Sequence, residues 1–256
     1  MRWVYISPHF DDAVLSCGGL IFEQARQGLP VEIWTIFAGN PPPGPLSAFA
    51  RANHALWDTD GGKATVALRK AEDHEAAGLV GADLTHFDIP DCIYRRSPDG
   101  TPLYQETVST SPHPADRDLS EQIATVLTSE LLPEDTLVCP LALGGHVDHV
   151  LARQAAECLR RPLWFYADIP YLLNTPQILD PAVAMLQSEL LSVSEAGLHA
   201  WLEGVAAYKS QLSSLLKIEG TLEEAIRSYW ERWRGVRLWH VHTQDSPACN
   251  TDECDI

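Results

Sequence analysis

Two observations predict an α/β chain with a mostly parallel central sheet. Apolar, β-rich runs alternate five times with segments of helical apolar spacing, and the strand runs are continuously apolar, as in a sheet covered by helices on both faces. The expected architecture is a Rossmann-like three-layer α/β/α fold with additional C-terminal helices. The run 3–7 is the first strand, and 13–27 carries Val14, Leu15, Leu20, Ile21 and Ala25 near helical spacing before Gly28 stops it. Residues 31–37 repeat the strand signal, and the Gly/Pro-rich stretch 39–45 then breaks regular structure. Helices over 47–57 and 66–79 lead to a short strand over 84–87. A polar loop over 88–118 follows, then a helix over 119–132, a strand over 136–139, a helix over 149–160 and a strand over 163–166. The last quarter reads as helices over 194–216 and 222–233, closed by an edge strand over 236–241. With no linker and no internal repeat, residues 1–256 form one domain, near the upper size for a single core, with a mobile acidic tail over 244–256.

The chain has 35 Asp and Glu against 18 Lys and Arg, a formal charge of −17. No basic stripe exists to bind a polyanion, so nucleic acid is excluded as a partner. At 45% hydrophobic and 21% charged residues, the composition is that of a globular protein. The opening apolar run ends at Ser7-Pro8-His9, too soon for a signal-peptide core, and no stretch is apolar enough for a transmembrane segment. The expectation is a cytoplasmic protein. Four of the six cysteines fall in apolar segments and read as buried reduced thiols rather than a disulfide framework. In the tail, His240, His242, Cys249 and Cys254 match no common zinc module and read better as an oxidisable cysteine pair.

Chemistry concentrates at two strand ends. Pro8-His9-Phe10-Asp11-Asp12 lies where the first strand gives way to the first helix, the expected place for a site in an open α/β sheet. His9 and Asp12 are three apart, so that on a starting helical turn imidazole and carboxylate converge on one ion, while Asp11 points elsewhere and is free to act as a base. The plainer reading of either aspartate is a helix cap or a first-turn acid facing the dipole. Gly144-Gly145-His146-Val147-Asp148-His149 follows the strand ending at Pro140. It offers one candidate metal ligand, one candidate proton carrier and a carboxylate able to hold an imidazole as its cation. Together the clusters predict a three-ligand site with an open position, the pattern of catalytic zinc.

These residues carry a family resemblance. His9-Phe10-Asp11-Asp12 with Leu15 and Gly18-Gly19, and His146-Val147-Asp148-His149 downstream, resemble the PIG-L-like (LmbE-like) zinc-dependent N-deacetylases. Further echoes are Arg69 with Glu72, Asp91 before Tyr94-Arg95, Asp168-Ile169-Pro170-Tyr171 and Tyr208-Lys209-Ser210-Gln211, so the likeness runs along nearly the whole chain. Phe10 and Ala13 stand where that family often has Pro and Glu.

The resemblance implies that His9, Asp12 and His149 hold Zn2+, or another divalent metal such as Fe2+. It implies Asp11 as general base, His146 as general acid or electrostatic stabiliser, and Asp148 as the partner that orients His146 and keeps it cationic. Arg69 and Asp91 would contact sugar hydroxyls, and Tyr171 would face the pocket. Arg69 with Glu72 equally fits an exposed helical ion pair. His54 and Trp57 read as one face of a helix over the site, and Tyr208 and Gln211 as structural. The implied substrate is a small N-acetylated amino sugar or glycoconjugate; free sugars, thiol-linked glycosides, glycosylated antibiotics and lipid-linked headgroups all stay open.

Competing readings are weaker. Cys17-Gly18-Gly19 is not a dinucleotide fingerprint, and no G-x-S-x-G elbow is present. A metal-stabilised carbohydrate-binding module without turnover would close all four coordination positions, and only three good ligands can be named. Trp201 and Trp230 fit either the core or a subunit contact, which leaves a homo-oligomer open.

Overall fold

The computed structural model describes residues 1–59, 61–215 and 220–241. The tail assigned to 244–256, with Cys249 and Cys254, lies outside the described residues, as does His242. In chain order the elements are β1 (Trp3–Ser7), α1 (Asp12–Arg26), β2 (Val31–Thr35), α2 (Ala48–Leu56), α3 (Gly62–Val80), β3 (Asp83–His86), α4 (Leu119–Glu130), β4 (Thr136–Pro140), α5 (Val147–Cys158), β5 (Leu163–Tyr166), α6 (Tyr171–Asn174), α7 (Leu179–Val183), β6 (Gln187–Ser192), α8 (Glu195–Ala206), α9 (Leu212–Leu215), α10 (Leu222–Trp233) and β7 (Gly235–His240).

The strands form one seven-stranded sheet in the order β3-β2-β1-β4-β5-β7-β6. The first five are parallel; β7 runs antiparallel to β5, and β6 antiparallel to β7. From β1 the chain winds outward through β2 and β3, then returns to start again at β4 on the other side of β1. The strand order therefore reverses between β1 and β4, and the crevice outside their carboxyl ends is where such sheets bind ligands.

The predicted strands and helices are present, with three corrections. The strand at the C-terminal end is not an edge: β7 lies between β5 and β6, and the edge is β6, a strand without an apolar run to mark it. The helix expected over 194–216 stops at Ala206, because the next turn is drawn onto α3. There Tyr208 Oη donates to Asp73 Oδ1 (2.8 Å), and Ser210 donates to Glu72 through its backbone N (2.8 Å) and its Oγ (2.6 Å). Of the four cysteines placed in apolar segments, Cys17, Cys92 and Cys139 are buried thiols but Cys158 is exposed.

Trp201 and Trp230 belong to the core. The Trp201 indole donates to the carbonyl of Leu15 (3.1 Å) and that of Trp230 to the carbonyl of Val193 (2.8 Å). Trp201 packs closely on α1 because Gly18 and Gly19 have no side chain there; a Cβ on Gly18 would sit 2.7 Å from Trp201 Cδ1. Among the described residues, no helix is long and apolar enough to cross a membrane.

Candidate active site

A cleft of roughly 450 Å³ opens at the β1/β4 crevice, with His9, Asp11, Asp12, His146 and His149 at its floor. Arg69, Asp91, Trp57 and Tyr171 line its walls. The loop after β1 is set by Ser7, whose Oγ accepts from Ala13 N (3.0 Å) and donates to the carbonyl of His9 (2.6 Å). With Ser7 serving the first turn of α1, Asp11 occupies the N-cap position without making a side-chain cap bond. The capping explanation for Asp11 therefore fails. Its carboxylate faces the cleft, 3.4 Å from Arg69 Nη2, and burial pushes its pKa up to about 6 against the pull of Arg69.

Asp12 joins the two strand ends. Its Oδ2 accepts from His9 N (2.8 Å) and lies 3.3 Å from both His9 Nδ1 and His149 Nε2. Although burial works to raise it, the two imidazoles hold Asp12 well below the usual carboxylate range. The rings of His9 and His149 are 5.3 Å apart, near enough to share an ion.

Each of these imidazoles is gripped at its far nitrogen by a carboxylate. His9 Nε2 is 3.1 Å from Asp148 Oδ2, and His149 Nδ1 is 2.7 Å from Asp168 Oδ1. Asp168 also accepts from Leu143 N at 3.0 Å. Such carboxylate–imidazole pairs fix the tautomer and aim the free nitrogen, as they do around protein-bound metals. Nitrogens of two imidazoles and one carboxylate oxygen suit Zn2+ or Fe2+. His146 adds a third imidazole: ligand atoms of His9, His146 and His149 all lie within 4.8 Å of one another.

His146 differs from its expected role. Its Nδ1 accepts from the backbone N–H of Asp148 (3.2 Å), capping α5, so Nε2 carries the proton of the neutral ring. Burial and the adjacent His9 and His149 push its pKa well below the ordinary histidine value. The Asp148 carboxylate lies within 4.8 Å of a His146 nitrogen, but its hydrogen bonds and ion pairs go to other groups. The Asp148 side chain turns into the core, where Oδ2 accepts from Cys92 N (2.9 Å) and meets His9, and Oδ1 lies 2.6 Å from Arg95 Nη1. Positions two apart on a helix do not face each other, which is why the carboxylate bonds to His9 and not to its neighbour in sequence.

Arg69 is not in an exposed ion pair. It is buried between the rings of Phe10 (5.0 Å) and Trp57 (4.8 Å), its Nη1 4.0 Å from Asp91, and its Nε has no hydrogen-bond partner. Glu72 is taken by Ser210 instead. His54 lies behind this wall, with Nε2 2.7 Å from Tyr94 Oη, while Trp57 reaches the cleft. Tyr171 stacks edge-on to His149 at 5.6 Å and covers Gly144, which has φ +79° and no room for a Cβ beneath the ring. Gln211, read as structural, lines the cleft, whereas Tyr208 is structural as expected. Asp168 and Arg95 carry no role in the sequence beyond the family resemblance; an aspartate two residues past the end of β5 is the local signal for the first.

Residues 4–159 match the family model for PIG-L, described as GlcNAc-PI de-N-acetylase. The chain is 30% identical to a 2'-N-acetylparomamine deacetylase of Niallia circulans, over 96% of each chain. It is 27% identical to a protein of the same description from Streptomyces fradiae, over 91% of this chain and 81% of the relative. Among solved structures, the zinc-inhibited form of a teicoplanin deacetylase superposes with a TM-score of 0.81 at 28% identity, covering 96% of this chain and 100% of the other. Family match, whole-length relatives and fold agree, and the chain belongs to the PIG-L (GlcNAc-PI de-N-acetylase) family.

Proposed function

We propose that the chain hydrolyses the N-acetyl group of a small amino sugar or its glycoside at a metal centre held by His9, Asp12 and His149. As a family member with deacetylase relatives over nearly its whole length, it is a hydrolytic N-deacetylase. In this reading zinc is the native ion and the protein works in the cytoplasm. One observation carries it: Asp12 Oδ2 stands 3.3 Å from an imidazole nitrogen of each strand end, beside an Asp11 carboxylate with no capping duty.

A bound divalent ion supplies carbonyl polarisation and a more acidic water, whose pKa falls from about 15.7 to about 7 on zinc. Asp11 takes a proton as the water oxygen bonds to the acetyl carbon, and Arg69 keeps that carboxylate aimed at the cleft. His146 donates its Nε2 proton in a hydrogen bond to the oxygen on which negative charge develops, a role that a neutral ring performs. Asp11 then returns its proton to the nitrogen, the C–N bond breaks, and the second proton of the water passes from the new carboxyl to the amine, so that acetate and the ammonium leave. Arg69 and Asp91 offer donors and acceptors to ring hydroxyls, and Trp57 and Tyr171 wall the sugar.

Incubation with 2'-N-acetylparomamine and with N-acetylglucosaminyl conjugates, with acetate release as the readout, tests this reading. Turnover of at least one, lost with chelator and restored by Zn2+, is expected. Turnover undiminished by complete metal removal contradicts it.

A further inference from the structure

The geometry points to Arg95 as a positioning residue that couples metal retention to the order of the loop forming one wall of the cleft. The inference rests on His9 being a metal ligand.

Arg95 is buried, and each end of its guanidinium holds a different carboxylate. Nη1 lies 2.6 Å from Asp148 Oδ1 and also donates to the carbonyl of Pro90 (3.1 Å), while Nε donates to Asp116 Oδ2 (2.9 Å). The plane is clamped between the rings of Phe37 (5.2 Å) and Tyr104 (5.3 Å). On one side, Asp148 passes the constraint to His9 Nε2 at 3.1 Å. On the other, Asp116 accepts from Tyr104 Oη at 2.8 Å, and that oxygen accepts in turn from His113 N at 2.9 Å. A single planar cation thus fixes the carboxylate that aims His9 and the two ends of the segment between Tyr104 and Asp116.

The same segment returns to the site at its middle. Val147 N donates to the carbonyl of Val108 (2.8 Å), Ser109 pairs with His146, and Val108 lines the cleft. If the segment detaches, Asp116 leaves Arg95, and the guanidinium is free to abandon the orientation that sets Asp148. If a metal fixes His9, Asp148 and Arg95 are fixed with it, and the segment gains a rigid anchor. By linkage the two effects are equal: the factor by which an ordered segment tightens metal binding is the factor by which metal favours the ordered segment.

Asp116 and Tyr104 touch neither the metal ligands nor the cleft floor, so they test the coupling from its far end. Zn2+ affinity by competition with a chromogenic chelator is compared in the full chain and in Asp116→Asn, alongside limited proteolysis within residues 97–113 with and without Zn2+. We expect Zn2+ to slow cleavage of the unmodified protein there, and Asp116→Asn to bind Zn2+ about 10-fold more weakly and to lose most of that protection. A merely structural role for Asp116 would lower the melting temperature and leave both readouts unchanged. Should Asp116→Asn not fold, Tyr104→Phe, which removes one hydroxyl, decides on the same measurements. Zn2+ affinity within about two-fold of the unmodified protein overturns the coupling. An unmodified protein that takes up no Zn2+ overturns the metal reading beneath it, a distinct and recognisable failure.

Discussion

His149 Nδ1 meets Asp168 Oδ1 at 2.7 Å, with both side chains only 1% exposed. The aspartate comes from the residue pair after β5 and the histidine from the first turn of α5, so the contact ties a third strand end to the β1/β4 crevice. With Nδ1 committed, Nε2 is the nitrogen that faces Asp12.

Asp168→Asn weakens this grip by removing the negative charge while keeping the shape. Loss of such a carboxylate partner typically costs 10–100-fold in metal affinity. We expect a reduction of about 10-fold in Zn2+ affinity, with an unchanged far-ultraviolet circular dichroism spectrum. Unchanged affinity would show that His149 is aimed by its surroundings alone.

Asp11→Asn separates chemistry from metal binding. The variant should bind Zn2+ as the unmodified protein does and lose about 10²–10⁴ in kcat, the usual worth of a positioned base. Equal turnover would remove Asp11 from the mechanism.

Arg69→Lys keeps the charge and loses the planar fork between Phe10 and Trp57. A lysine cannot fill that slot and reach both Asp11 and Asp91. Acetate-release kinetics should show kcat/KM lowered by about 10-fold or more, equivalent to roughly 1.4 kcal/mol of transition-state stabilisation. A variant that matches the unmodified enzyme would mean that Arg69 only fills space.

Gly18→Ala tests the packing of α1 on α8. The new methyl meets the Trp201 ring, which is held in place by its bond to the Leu15 carbonyl. Overpacking of this kind costs about 1–3 kcal/mol, read as a lower melting temperature or denaturant midpoint. An unshifted midpoint would mean that the indole yields freely.

The parallel strands were visible in the sequence because burial on both faces makes them continuous apolar runs, as in Val4-Tyr5-Ile6 or Leu137-Val138-Cys139. The edge strand β6 carries no such mark: Gln187, Ser188 and Glu189 are exposed, and their pairing with β7 is made by backbone. His9, Asp11 and Asp12 stand out because they crowd into four residues just past the end of β1, and His149 because it shares a short His/Asp string with His146 and Asp148 after β4. The partners that aim them could not. Asp148 was assigned to its sequence neighbour His146 but serves His9, 139 residues away, and Arg95 reaches it from another loop. Contacts of this kind are set by how helices dock on the sheet, which local pattern does not encode.

The most direct measurement is anomalous X-ray diffraction at the zinc absorption edge from crystals of the Zn2+-loaded protein. The account expects a peak bounded by His9 Nδ1, Asp12 Oδ2 and His149 Nε2, with Asp11 beside it and not bound to it. A zinc peak elsewhere in the chain, with these three side chains empty of metal, would contradict it.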